Sequence, residues 1–218
     1  MKNIFLLFIC LMATNTSLAD TDIANESKVF NLFVGANIGA ATAFEWNDFY
    51  YDKNISYETE ERGMPFGWEI NTGIKFLGTK YKYHPVLRIF YKQFYNSADV
   101  LGTQYISSNK EINTEYDADV KRIAYGVAFD HYIRVGHNDT IATYKGTVDT
   151  FLILGLSTGT AKKEYQFNST QFADESSFIG LNFGVLFELG NGVGASIGTE
   201  YTSVWDTWSL NIGARYTF

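Results

Sequence analysis

The closing stretch Trp208-Ser209-Leu210-Asn211-Ile212-Gly213-Ala214-Arg215-Tyr216-Thr217-Phe218 decides how the chain is read. Trp208, Leu210, Ile212, Ala214, Tyr216 and Phe218 share one face of an extended backbone, and Ser209, Asn211, Gly213, Arg215 and Thr217 share the other. A period of two marks a strand whose two faces meet different surroundings. The same alternation recurs upstream. Phe30, Leu32, Val34, Ala36 and Ile38 oppose Asn31, Phe33, Gly35 and Asn37, and Phe66, Trp68, Ile70, Ile74 and Phe76 oppose Gly67, Glu69, Asn71, Gly73 and Lys75. Five further segments, Leu87 to Tyr95, Arg122 to Ile133, Val148 to Thr160, Ile179 to Leu189 and Val193 to Tyr201, bring the total to eight strands.

The links between these segments alternate in length. Short links fall at Gly78 to His84, within Arg134 to Thr147, and at Gly190-Asn191-Gly192, a hairpin turn suited to positive φ. Long links are expected over Thr42 to Pro65, Asn96 to Val120 and Ala161 to Ser176, with a shorter one over Thr202 to Thr207. Alternating short and long links describe an all-β, eight-stranded antiparallel up-and-down barrel with one plain end and one elaborate end. No helix-period segment, repeat or second domain interrupts it.

Such a barrel can be soluble with its apolar face inside, or membrane-embedded with that face outside. The polar face decides: it is mainly Gly, Asn, Ser and Ala with a few charges, which suits a narrow interior better than a hydrated exterior. The other face is bulky and nearly uncharged, as lipid contact requires. Strands of about ten residues match the hydrocarbon thickness, and closure leaves no backbone edge in lipid. The 18 Phe, 15 Tyr and 4 Trp among 218 residues fit this reading. Trp46, Trp68, Trp205 and Trp208 are all expected at the long-link end as an interfacial girdle, with Tyr81, Tyr83, Tyr216 and Phe218 at the other end. A mean hydropathy close to zero excludes a bundle of membrane helices. A net charge of −7 argues against a nucleic-acid partner.

Residues 1–19 read as a signal peptide: Lys2, the apolar core Ile4 to Met12, and Ser17-Leu18-Ala19 before a cleavage point at Asp20. The core is too short to cross a bilayer. Residues 20–218 form the barrel domain, without Lys2 or Cys10, the single cysteine, and hence without disulfides.

The whole of this pattern resembles the small outer-membrane β-barrels of Gram-negative bacteria, of the OmpA-barrel, OmpX/Ail and Opacity type. The terminal Gly213-Ala214-Arg215-Tyr216-Thr217-Phe218 resembles that family's sorting signal, with Tyr216 and Phe218 as its readable positions. The resemblance implies an outer-membrane location, contact with membrane lipid and lipopolysaccharide, delivery by the barrel-assembly machinery, and a monomer. It also implies a surface role in adhesion or host interaction. No peptidoglycan-binding domain of the kind that follows the barrel in OmpA-like proteins is expected.

By parity the inward face collects Lys75, Arg88, Lys92, Arg122 and Arg215 with Glu69, Asp130, Asp149, Glu188 and Glu200. Confined charges must be paired, so this balanced set predicts a salt-bridged plug; a small pore that exchanges ion-pair partners is the alternative. The excess acidity then belongs to the long links, with Asp48, Asp52, Glu58, Glu60 and Glu61 in the first and Asp99, Glu111, Glu115, Asp117 and Asp119 in the second. Trp46, Tyr50, Tyr51, Tyr57, Tyr105 and Tyr116, interleaved with these acids, make a candidate contact surface together with Asp48. A solvated loop whose acids bind divalent cations is the other reading. Asp52-Lys53-Asn54-Ile55-Ser56 resembles a bacterial glycosylation acceptor at Asn54. No catalytic constellation is present: His84 and His137 lie at the short-link end, His131 faces the inner leaflet, and no nucleophile elbow, metal-spaced histidines or phosphate loop occurs. No enzyme activity, cofactor or metal is therefore expected.

Overall fold

The computed structural model describes residues 30–42, 48–52, 55–76, 82–107, 110–138, 146–168 and 170–218. The expected leader, Cys10, Trp46, Asn54 and Tyr81 lie outside these. The strands are β1 (Phe30–Ala41), β2 (Asp48–Asp52), β3 (Ile55–Phe76), β4 (Tyr83–Ser107), β5 (Lys110–Asn138), β6 (Val148–Phe167), β7 (Thr170–Leu189), β8 (Val193–Thr202) and β9 (Thr207–Thr217). β3 to β9 each pair antiparallel with the next in the series, and β1 pairs with both β9 and β3, closing a ring of eight. The short β2 lies outside the ring and pairs only with Ile55–Thr59 of β3. Closure leaves the ring without an edge.

The bulky face points outward. Ile38, Trp68, Ile70, Leu87, Ile89, Tyr125, Val127, Phe129, Leu152, Leu154, Leu156, Ile179, Phe183, Ile197, Leu210 and Ile212 are all exposed. Phe33, Val86, Tyr132, Phe151 and Leu186 are buried in the interior instead. The exterior is thus a continuous apolar band, far larger than a water-soluble surface tolerates.

Two expectations need correction. The long links over 96–120 and 161–176 are mostly strand: β4 and β5 meet across Ser107 and Lys110, and β6 and β7 across Phe167 and Thr170, where Asn168 takes a positive φ of 48°. The first link is strand from Ile55 onward. Above the apolar band both faces of a sheet can be polar, so hydropathy alternation fades although hydrogen bonding continues. Trp205 is the second correction. Only 8% exposed, it turns into the barrel, whereas Trp68 and Trp208 face outward as girdle residues, at 38% and 41% exposure.

Strand lengths are consequently unequal. β8 and β9 have 10 and 11 residues, enough to cross the band, while β4 and β5 have 25 and 29. From Asn96 to Ser107 alone β4 climbs about 35 Å along its own axis. β3 to β7 therefore stand above the ring as a projecting sheet.

Candidate functional site

Inward side chains fill the lumen in layers. At the inner end Glu188 accepts from Lys75 at 2.7 Å and from Arg215 at 2.8 Å. The Arg215 guanidinium lies over the rings of Tyr132 and Phe33, and Lys75 over Phe151. In the next layer Arg88 donates Nε to Asp130 and Nη1 to Glu69, both at 2.9 Å. Asn37 and Asn71 donate to Glu69, and Asn182 to Asp130, so both carboxylates are multiply satisfied. A cavity of about 90 Å³ adjoins this layer, lined among others by Glu69, Arg88, Asp130, Asn182 and Arg215.

Above it Lys92 Nζ meets Glu200 at 2.9 Å and donates to Thr202 at 3.1 Å. Its ammonium is also surrounded by Phe90, Phe178 and Trp205, with ring centroids 5.5–5.9 Å away. These rings belong to an apolar layer that also holds Phe94, Ala41, Ala124, Ala128 and Ala161.

A fourth layer was not anticipated. Glu61, placed by the sequence reading in an acidic loop, is buried among four donors: Arg122, Lys163 at 2.7 Å, Asn96 at 2.7 Å and the Tyr165 hydroxyl at 3.1 Å. A register shift between Arg62 and Phe66 inserts two extra residues, so inward parity passes intact through the irregularity to Glu61. The signal that could have found it is the odd-numbered run Tyr57, Thr59, Glu61 continuing past Gly63-Met64-Pro65.

Nine of the ten charges selected by parity thus come together in the lumen, and Glu61 and Lys163 join them with opposite signs. Asp149 does not join. It sits 28% exposed at the inner mouth, 2.7 Å from His137 and 3.9 Å from Arg134.

Glu61 lies above the lipid-facing band, which on β3 starts at Phe66. Burial pushes its carboxyl upward, but Arg122 and Lys163, with hydrogen bonds from Lys163 and Asn96, reverse this and hold it below the usual carboxylate range. A depressed folded-state value means stability that is complete above the unfolded value of about 4.3 and is lost as pH falls through the folded one. Acidification through that window should loosen the base of the projecting sheet. We expect proteolytic nicking of the β4–β5 hairpin to rise as pH drops from neutral to about 3. Glu61→Gln should remove this dependence; an unchanged profile would mean that Glu61 does not hold the sheet.

On the projecting sheet, Glu60, Asp99 and Asp117 face one another across three neighbouring strands on the outward side. Opposed like charges are destabilising, and Arg62 offsets this by reaching Asp99 at 2.9 Å and Asp117 at 2.5 Å. Glu115 and Asp119 extend the same exposed face. The aromatic candidates separate from these acids. Tyr57 is 7% exposed and packs inward with Val100, Ala118, Phe167 and Phe172, and Tyr116 is half-buried against Phe167, so neither is a free contact residue. Their strands continue further than expected, and parity turns both rings into the space above the lumen. Asp48, Tyr50 and Tyr51 lie on β2, and Tyr105 on β4. At the opposite end Tyr216 stands edge-on to Phe218 with ring centroids 5.0 Å apart.

No protein-family model matches the chain, and no curated protein does. Among solved structures it is similar to Ail, the attachment invasion locus protein of Yersinia pestis, at 15% identity over 87% of this chain and 97% of that one, with a TM-score of 0.44. It is also similar to Neisserial surface protein A, at 12% identity over 89% of this chain and 100% of that one, again with a TM-score of 0.44. Ail solved in a phospholipid bilayer nanodisc matches at 16% identity over 85% of this chain and 99% of that one, with a TM-score of 0.37. These likenesses are of fold.

Proposed function

We propose that the chain is a non-enzymatic, monomeric outer-membrane barrel that presents the projecting sheet to molecules outside the cell. The observation that carries this reading is the asymmetry of the ring. Crossing the apolar band needs only the length of β8 and β9, yet β3 to β7 continue far beyond it. The lumen ion pairs, Glu69, Lys75, Arg88, Lys92, Arg122, Asp130, Glu188, Glu200 and Arg215, serve as the rigid footing of that sheet. Lipid and lipopolysaccharide surround the band, and Tyr216 and Phe218 mark the strand read by the barrel-assembly machinery after the leader is removed.

The outward face of the sheet is acidic, so its partner is a host surface molecule of positive charge, and polyanions are repelled. Deleting 99–117 tests this, because Asp99 and Asp117 are paired and the shortened hairpin keeps its register. The deletion is expected to abolish binding to host matrix components while leaving the heat-modifiable gel mobility of a folded barrel unchanged. Binding that survives the deletion would remove the projecting sheet as the contact element. A screen of the refolded protein against matrix proteins and lipopolysaccharide, repeated at two salt concentrations, identifies the partner class.

A further inference from the structure

The projecting sheet ends differently on its two sides. On the β3 side the short β2 covers Ile55 to Thr59. On the β7 side β8 begins its pairing only at Gly180, opposite Thr202, although β6 stays paired with β7 all the way up to Thr170. The direction of the backbone groups above that point follows from the last bonds below it. Ile179 accepts from the Ser203 amide and donates its own amide to the Ser203 hydroxyl, both at 3.0 Å, so its two backbone groups face the β8 side. In an antiparallel strand these groups point the same way at every second residue. Gln171, Ala173, Glu175 and Ser177 therefore direct their N–H and C=O groups away from β6. All four residues are exposed, and among the described residues no strand pairs with them on that side.

An open edge invites pairing, and proteins guard against it with lysine, proline, a bulge or a covering segment. From Thr170 to Ile179 there is no lysine and no proline. The register with β6 runs through this stretch without a shift, so no bulge twists the edge away. Its charges are Asp174 and Glu175, both exposed, and the exposed Asp206 stands on the turn below. A copy of the same edge would bring acids close to acids, which is destabilising. A strand that carries lysine or arginine is attracted instead.

We propose that the upper edge of β7 is a second binding site, which takes an extended basic segment of another protein as an added antiparallel strand above the end of β8. Main-chain bonds to Gln171, Ala173, Glu175 and Ser177 supply the affinity, and alternate side chains supply the selectivity. The outward residues of the added strand meet Glu175 and are basic. Its inward residues lie on the side of Phe172, whose ring packs with Tyr57 and Phe167, and are apolar. The site shares with the proposed function only the outward orientation of the sheet. It uses no residue of the β4–β5 hairpin, so the acidic-face contact and the edge pairing stand or fall separately.

The test uses the refolded full-length protein in detergent micelles, with folding checked by heat-modifiable mobility, and a fluorescent peptide of sequence Arg-Val-Lys-Val-Lys-Val-Arg. In the antiparallel pair the basic residues oppose the outward residues of β7, so their amides face β7 and the valine amides face away. Methylating the two lysine amides should weaken binding by about tenfold or more, whereas methylating two valine amides should leave it unchanged. Both methylated peptides carry the same charge, so plain attraction to the acidic sheet treats them alike. Ala173→Pro removes a donor on the open side without costing a ladder bond to β6, a position where an edge strand tolerates proline. It should also weaken binding by about tenfold, and Ala173→Val, which keeps the amide, should bind like wild type. If the proline variant does not fold, the methylated pair gives the result on the wild-type protein. Equal binding of the two methylated peptides, no binding of the unmethylated one, or wild-type binding by folded Ala173→Pro would overturn the edge site. A dimer that Ala173→Pro dissociates would assign the edge to a second copy and overturn it as well.

Discussion

Arg88→Met is expected to lower the stability of the folded barrel by about 3–5 kcal/mol, measured by urea unfolding in detergent micelles, because it strands two buried carboxylates. Glu69 and Asp130 are 5% and 1% exposed, and among the described residues Arg88 is the one cation that reaches both. Asn37, Asn71 and Asn182 still donate after the substitution, but amide dipoles do not neutralise two charges in a confined space. The loss comes mainly from the orphaned acids and not from the bonds removed, which gives the prediction a second arm. Replacing Glu69 and Asp130 by apolar residues together with Arg88 should recover most of the stability, since a buried ionic cluster often breaks even against hydrophobic packing. Arg62, which bridges Asp99 and Asp117 in the open, supplies the contrast: its removal should cost no more than about 1 kcal/mol. If Arg88→Met proves as mild as Arg62→Met, the lumen is held by its aromatic layers and the ion pairs are passengers.

Sequence alternation carried the reading of this fold as far as the apolar band reaches, and for a physical reason. Between lipid and lumen the two faces of a strand have opposite requirements, so Trp208 to Phe218 or Phe66 to Phe76 sort their residues without ambiguity. Inside the band parity also located charge, which is why Lys75, Arg88, Lys92 and Glu200 could be placed before any contact was known. Partners could not be read in this way, because pairing around a ring depends on stagger between strands distant in sequence. Lys75 and Glu188 are 113 positions apart.

Above the band the constraint disappears. Water lies outside the projecting sheet and a mixture of rings and charges lies within it, so Glu58, Glu60 and Glu61 look alike in sequence although Glu61 alone among them is buried. Tyr57 and Tyr116 show the same blindness in reverse, since an aromatic among acids reads as a contact residue until its strand is known to continue. Trp205 was misplaced for a different reason. Parity assigns direction only to residues in a strand, and a turn residue points wherever its local dihedral angles send it. The features specific to this barrel, the Glu61 layer and the inward-turned Trp205 indole, are therefore the ones that alternation does not encode.

Gly126 and Gly159 face each other across β5 and β6, and alanine at Gly159 is expected to cost about 3 kcal/mol, the upper range for overpacking, because the clash is with backbone. A Cβ at Gly159 would stand 2.1 Å from the Tyr125 carbonyl oxygen and 2.7 Å from the Gly126 Cα. One at Gly126 would stand 2.1 Å from the Thr158 carbonyl oxygen. No side chain can swing aside to relieve these contacts. Closing only eight strands bends neighbours sharply toward one another, and the missing side chains let the two backbones turn inward together. Glycine also lies on the crowded inner surface, beside Ala128 and Ala161 of the apolar layer, where widening the ring would loosen the packing around Trp205. The double variant with alanine at both positions should fail to acquire heat-modifiable mobility. Gly136 serves as the control, because a Cβ there would meet only the Thr150 side chain at 3.5 Å, an ordinary contact. Alanine at Gly136 should be neutral or stabilising by about 0.5 kcal/mol through the unfolded chain. Equal effects at Gly136 and Gly159 would show that the barrel closes without needing this pair, and the bend would have to be sought elsewhere in the ring.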